Sequence, residues 1–194
     1  MSDYAQDFYR SKRDALIKDF EKFRAEPYLD SEGIPTIGYG TTAYPDGTAV
    51  TMQDSPVTEQ QANGYFQTHI KEFDDHISKA PGFSDLDRPT QAALGSFAYN
   101  TGPNVFTAPE GYETLQSAVR SGDKSQIADA MRLYNNSGNL GLIRRREAEI
   151  ELMNTPLPMP SNPPGMFQTR GPDLRPQPQS ASEPEYNHRG RRMR

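Results

Sequence analysis

Glu21, Asp30 and Thr36 are a set of side chains whose types suit hydrolysis of a glycosidic bond, with eight residues between the two carboxyls and five between Asp30 and Thr36. That chemistry needs one carboxyl that arrives protonated and gives its proton to the leaving oxygen. It needs a second that is ionised and either activates a water or attacks as nucleophile. Two carboxyls on elements of different burial can hold these two states. Spacing alone is weak ground in a chain with 26 acidic residues. Each residue also has an ordinary reading: Glu21 as a solvated helical residue beside Lys18 and Lys22, Asp30 as a turn residue capping backbone N–H groups, Thr36 as a strand residue.

The elements around the set are readable from periodicity. Phe8, Leu16, Phe20 and Phe23 recur on one helical face and predict a long first helix over about Asp3 to Arg24. It must end near Ala25, because Pro27 disfavours helical geometry at Glu26 and has no N–H of its own. Tyr28 to Gly40 places β-prone residues on both sides of Asp30-Ser31-Glu32-Gly33 and predicts a β-hairpin, so the chain reverses between Glu21 and Thr36 and all three residues can face one cleft. A turn at Pro45-Asp46-Gly47 leaves room for a short third strand over Ala49 to Met52. Thr58 with Gln61 has the form of a capping box, and Ala62, Phe66, Ile70, Phe73, Ile77 and Ala80 follow at helical spacing until Pro81-Gly82. Further helices are expected at about Thr90 to Asn100, Tyr112 to Ser121, Ser125 to Asn135 and Leu140 to Asn154.

Three segments give the set more weight. The run from Phe20 to Asp30 and on through Gly33-Ile34-Pro35-Thr36-Ile37-Gly38-Tyr39-Gly40-Thr41-Thr42 resembles the signature of phage-type lysozymes, glycoside hydrolase family 24, without an insertion. Arg88 to Leu94 with Phe97-Ala98-Tyr99-Asn100-Thr101-Gly102 resembles that family's cleft-lining central helix. Gly141-Leu142-Ile143-Arg144-Arg145-Arg146-Glu147-Ala148-Glu149 resembles its C-terminal Gly-Leu, Arg-Arg, Glu motif. The resemblance covers about Leu16 to Met153 and implies an α+β, lysozyme-like fold: a long N-terminal helix, a small β lobe and a larger helical lobe. It implies cleavage of the β-1,4 bond between N-acetylmuramic acid and N-acetylglucosamine in peptidoglycan, with inversion. Glu21 would be the general acid, while Asp30 and Thr36 would position the attacking water. Tyr99, Asn100 and Gly102 would contact sugar, and Arg145 would lie near the acid. The chain departs from the family at Thr41, where histidine is common, and at Leu133 and Tyr134, where tryptophan is common.

Residues 1–154 are expected to be the catalytic domain and residues 155–194 an extended tail. Proline recurs from Pro156 to Pro184 with Gln, Ser and Gly between, a composition that buries too little apolar surface to offset its ordering entropy. The tail's six arginines against Asp173, Glu183 and Glu185 make it about +3, which leaves the body near −8 of the total −5. An acidic body is unusual beside basic lytic relatives that approach an anionic wall. A rival expectation is therefore a virion structural or assembly protein that keeps the lysozyme fold and docks virion proteins through residues 155–194. A third is a sugar-binding module without hydrolysis.

The zero cysteines exclude disulfides and thiolate chemistry, and His69, His76 and His188 are scattered, so neither metal nor cofactor is expected. No run approaches the roughly 20 apolar residues of a membrane span and no leader is apparent, so synthesis in the host bacterial cytoplasm, action on the cell wall and no membrane insertion are expected. Gly38 and Gly40 lie on a strand, not in a loop opening a helix. They suit a bend or close backbone approach better than phosphate binding. His69 and His76 read as surface or partly packed residues, and the arginines at 144–146 as a solvated helix face with one structural pair. The basic run from Arg189 to Arg194 is nonspecific, and nucleic acid is not an expected partner.

Overall fold

A computed structural model describes residues 2–135 and 138–158. The order of elements is α1 (Ser2–Glu21), β1 (Arg24–Leu29), β2 (Pro35–Gly38), α2 (Glu59–Ile77), α3 (Arg88–Thr101), α4 (Glu113–Ser121), α5 (Lys124–Arg132) and α6 (Leu140–Asn154). Short 3-10 turns at Phe83–Asp85 and Pro103–Phe106 flank α3. Residues 159–194, which hold most of the segment with the expected docking role and include His188 and the arginines from Arg189 onward, lie outside the described residues.

α1 ends three residues earlier than its apolar periodicity predicts. Lys22 adopts a left-handed φ of 60°, its N–H closing the last turn onto Lys18 O, and Arg24 already belongs to β1. The buried face also differs by one position: Tyr9, Arg13 and Ile17 are buried, whereas Phe23 is exposed. β1 and β2 form an antiparallel pair with Tyr28 opposite Thr36, and the register shifts between Arg24 and Tyr28. Pro27 falls within that irregularity, where a missing N–H costs no ladder bond.

The expected third strand is reduced to a single bridge between Ala43 and Ala49. Asp54 explains why it goes no further. Its carboxylate accepts from Thr51 N–H, Thr51 Oγ1 and Tyr44 Oη, which bends the chain just beyond Val50.

The capping box at α2 forms in full: Gln61 N–H donates to Thr58 Oγ1 at 3.2 Å, and Thr58 N–H donates to Gln61 Oε1 at 2.8 Å. Ala62, Phe66 and Ile70 from this helix join Ile17, Ile37, Tyr39, Val50 and Val57 in the core of the β lobe. α3 is the centre of the helical lobe. Ala92 to Ala98 are all buried, and the helix packs against α1 and α6. Phe97, Phe106, Leu115, Ile127, Met131 and Met153 build the larger core around it. Asp87 caps α3 by accepting from Thr90 N–H, and Asn139 caps α6 by accepting from Gly141 and Leu142 N–H.

Candidate active site

Glu21 is the last residue of α1. Its Oε1 accepts a charge-assisted bond from Arg145 Nη1 at 2.6 Å. The ordinary reading of Glu21 as a partner of its lysine neighbours does not hold, since Lys22 pairs with Asp19 and Lys18 bonds Asn63. The backbone at Gly40 closes in from the opposite side. With φ at 86°, a Cβ there would lie 3.5 Å from Glu21 Oε2 and 3.8 Å from Tyr99 Oη. Glycine is thus required for its backbone conformation, and its lack of a side chain leaves space in front of the carboxyl.

Gly38 meets a different constraint. Its φ is 67° and a Cβ would come within 2.9 Å of Ala62 Cβ, so the hairpin seats directly on α2.

Asp30 follows β1, and its Oδ1 accepts from Glu32 N–H at 2.8 Å and Ile34 N–H at 2.9 Å. Among the described residues no donor meets its Oδ2, so one oxygen builds the turn and the other is open. Thr36 is 3% exposed, and its hydroxyl donates to Ile34 O at 3.0 Å, which leaves the oxygen's lone pairs as its remaining capacity. The Tyr28 phenol is close enough to both carboxyls to feel their charge. Burial pushes its phenol up, the Arg24 guanidinium 4.1 Å from its ring centre opposes this, and both Glu21 and Asp30 add to the rise.

Tyr99 donates to Tyr39 O at 2.8 Å. Burial first, then the neighbouring Glu21, raise its phenol, so it stays a neutral donor. Tyr99 lines a hollow of about 200 Å³ with Gly40, Thr42, Ala43, His69 and Phe73, which places His69 at the rim of the cleft. A larger hollow of about 410 Å³ between α1, α2 and α3 holds Arg10, Arg13 and Arg88 and none of these residues. Of the two, only the smaller shares residues, Gly40 and Tyr99, with the surroundings of Glu21.

Asn100 is exposed, and its Oδ1 accepts from Arg146 Nη2 at 2.6 Å. Gly102 ends α3 with φ 89° and its N–H on Ala98 O, and a Cβ there would meet nothing within 4 Å. The candidate sugar contacts therefore stand on the last turn of one buried helix. Among the described residues no cluster of His, Asp and Glu could hold a metal ion.

The reading of 144–146 as a solvated face holds for the exposed Arg144 but not for its neighbours, for Arg145 is 4% and Arg146 1% exposed. Charges enter an interior only with partners. Glu149, fully buried, supplies one: its Oε1 lies 3.3 Å from Arg145 Nε and accepts from Ser96 Oγ at 2.9 Å, and its Oε2 lies 3.2 Å from Arg146 Nε. The i, i+4 and i, i+3 spacing of Arg145 and Arg146 to Glu149 was the available signal for that network. Ser96 gave none. Thr41 is also buried, with its Oγ1 unpartnered.

Residues 18–149 match the family described as phage lysozyme. The chain is 32% identical over 153 residues to the endolysin of Lactococcus phage c2, covering 76% of this chain and 60% of that protein. It is 29% identical over 133 residues to the endolysin of Salmonella phage P22, covering 67% of this chain and 87% of that one. The endolysin from Escherichia coli O157:H7 phage FAHEc1 superposes with a TM-score of 0.62 at 32% identity, over 73% of this chain and 90% of that chain. This chain spans less than two thirds of the Lactococcus phage relative's length. With the family's match running from the end of α1 through Glu149 of α6, the chain belongs to the phage lysozyme family.

Proposed function

We propose that this protein hydrolyses peptidoglycan, cutting the β-1,4 bond between N-acetylmuramic acid and N-acetylglucosamine with inversion. The observation that carries the reading is the Glu21 carboxyl, fixed on one oxygen by a buried arginine and with the other against the backbone of Gly40, which with Tyr99 lines the smaller hollow. Oε1 is engaged by Arg145, so Oε2 is the oxygen that carries the proton and delivers it to the leaving glycosidic oxygen. Asp30 keeps one oxygen on the hairpin turn and offers the other as base, and the Thr36 hydroxyl oxygen accepts from the same water. That water attacks the opposite face of the sugar ring. Tyr99, Asn100 and Gly102 line the path of the glycan.

Residues 1–154 are the catalytic domain in this reading, acting on the cell wall, and 155–194 a separate tail. No described helix is long and apolar enough to cross a membrane. Glu21→Gln keeps the shape and the bond from Arg145 but has no proton to give. It is expected to lower release of reducing ends from peptidoglycan by about a thousandfold, while the far-ultraviolet circular dichroism spectrum matches the parent. Hydrolysis by the variant within tenfold of the parent would exclude Glu21 as the acid.

A further inference from the structure

Four charged groups meet behind the site. Arg145, Arg146 and Glu149 are buried within one stretch of α6, and Glu21 reaches them from α1 with 24% of its side chain exposed. Arg145 divides its guanidinium between Glu21, Glu149 and the carbonyl of Ser96, the last at 3.5 Å. Arg146 lies 4.5 Å over the Phe97 ring and reaches Asn100, yet its Nε and Nη1 and the Oε2 of Glu149 have no hydrogen-bond partner. Arg146 Nε and Glu149 Oε2 are 3.2 Å apart and attract as charges without an aligned bond, while Arg146 Nη2 donates a long bond of 3.5 Å to Glu149 Oε1. Burial draws the Arg146 guanidinium down to about 10, which leaves it charged at neutral pH. Burial pushes the Glu149 carboxyl up, against the pull of Arg146 and Arg145.

The neighbours leave this set to balance itself. Arg13 is already paired with Asp14 and Asp74 on the far side of Gly95, and Glu147 is paired with Arg132 of α5. β1 contributes Arg24 and Tyr28, with Asp30 beyond them, and α3 contributes the neutral Tyr99. Two guanidiniums thus face one fully buried carboxylate, and Glu21 is the second counterion. An uncompensated charge in such an interior is costly, so any change in the balance is passed to the group nearest solvent. That group is Glu21.

We infer that Glu149 is a positioning residue for the catalytic acid: it holds Arg145 in register on Glu21 and offsets part of the buried positive charge that Arg145 and Arg146 place behind that carboxyl. The inference rests on the reading of Glu21 as the acid. Its test therefore follows the Glu21 carboxyl itself, by carbon-13 NMR in protein labelled at glutamate side chains, alongside the pH profile of hydrolysis.

Glu149→Gln leaves two guanidiniums with Glu21 as their only anion. The Glu21 signal should then titrate about one pH unit lower than in the parent, and the basic limb of kcat should move down with it, KM changing little. Arg146→Met removes one buried cation beside an aromatic ring and should move the same signal and limb upward. Glu149→Asp keeps the charge and should hold the limb near its parental position even where kcat falls. If Glu149→Gln does not fold, the direction seen in Arg146→Met decides the matter alone. An unmoved Glu21 signal in these variants, or a shift of the same sign in both, overturns the inference, whereas full activity of Glu21→Gln overturns the assignment of the acid.

Discussion

Two oxygens of one carboxyl have different neighbours at position 21. One is held at 2.6 Å by a guanidinium that is itself buried, and the other faces a glycine backbone and open space. The same division recurs at Asp30, where Oδ1 is taken by two backbone N–H groups. Asp30→Asn would keep an oxygen for the turn but lose the base, so hydrolysis should fall by at least about a hundredfold while stability to urea stays near the parent's. Retained hydrolysis in that variant would remove Asp30 from the reaction.

Little of this was legible residue by residue. Glu21, Asp30 and Thr36 are each ordinary for a helix end, a turn and a strand, and only the joint motif distinguished them. Arg146 was misjudged for a physical reason: a charged helical stretch looks the same in sequence whether its charges are solvated or satisfy one another in the interior. The difference is made by Ser96, a partner from another helix.

At the scale of elements, the hairpin and α2 behave as one unit. Gly38 has a left-handed φ and lies against Ala62, so Gly38→Ala combines backbone strain with an overpacked contact and should cost about 2 kcal/mol in urea unfolding. Tyr39 Oη donates to Glu59 at 2.7 Å across the same junction. That bond, then burial and the Glu59 charge, raise its phenol from 10.0 to about 12. A group raised in the folded state lends stability that is complete below its unfolded value and is lost as pH climbs through the folded one. Stability should therefore decline between about pH 10 and 12, and Tyr39→Phe should show a shallower decline; identical slopes would deny Tyr39 that role.

The helices were largely visible beforehand, because α2 announces itself through its capping box and apolar period. The end of α1 was not. The apolar period continues to Phe23, and the positive φ of Lys22 that stops the helix leaves no mark in composition.

For the whole molecule, α6 closes the helical lobe and is fixed just past its end, where Tyr9 Oη donates to Thr155 O at 3.0 Å. A chain ending at Pro158 keeps that bond, one ending at Asn154 loses it. The first should unfold at the parental urea midpoint, the second at a lower one. Equal midpoints would show that the bond to Thr155 contributes nothing. The opposite charges of the acidic body and the arginine-bearing segment from 155 to 194 are legible from the sequence alone, because they follow from counting residues.

The central claim is that Glu21 is the acid of a peptidoglycan-cleaving site. The direct measurement is release of reducing ends from purified peptidoglycan by the parent and by Glu21→Gln, both shown to be folded, between about pH 5 and 8 where such a carboxyl pair works. The account predicts release by the parent and about a thousandfold less by the variant. No release by the folded parent at any pH in that window, or equal release by both proteins, would contradict it.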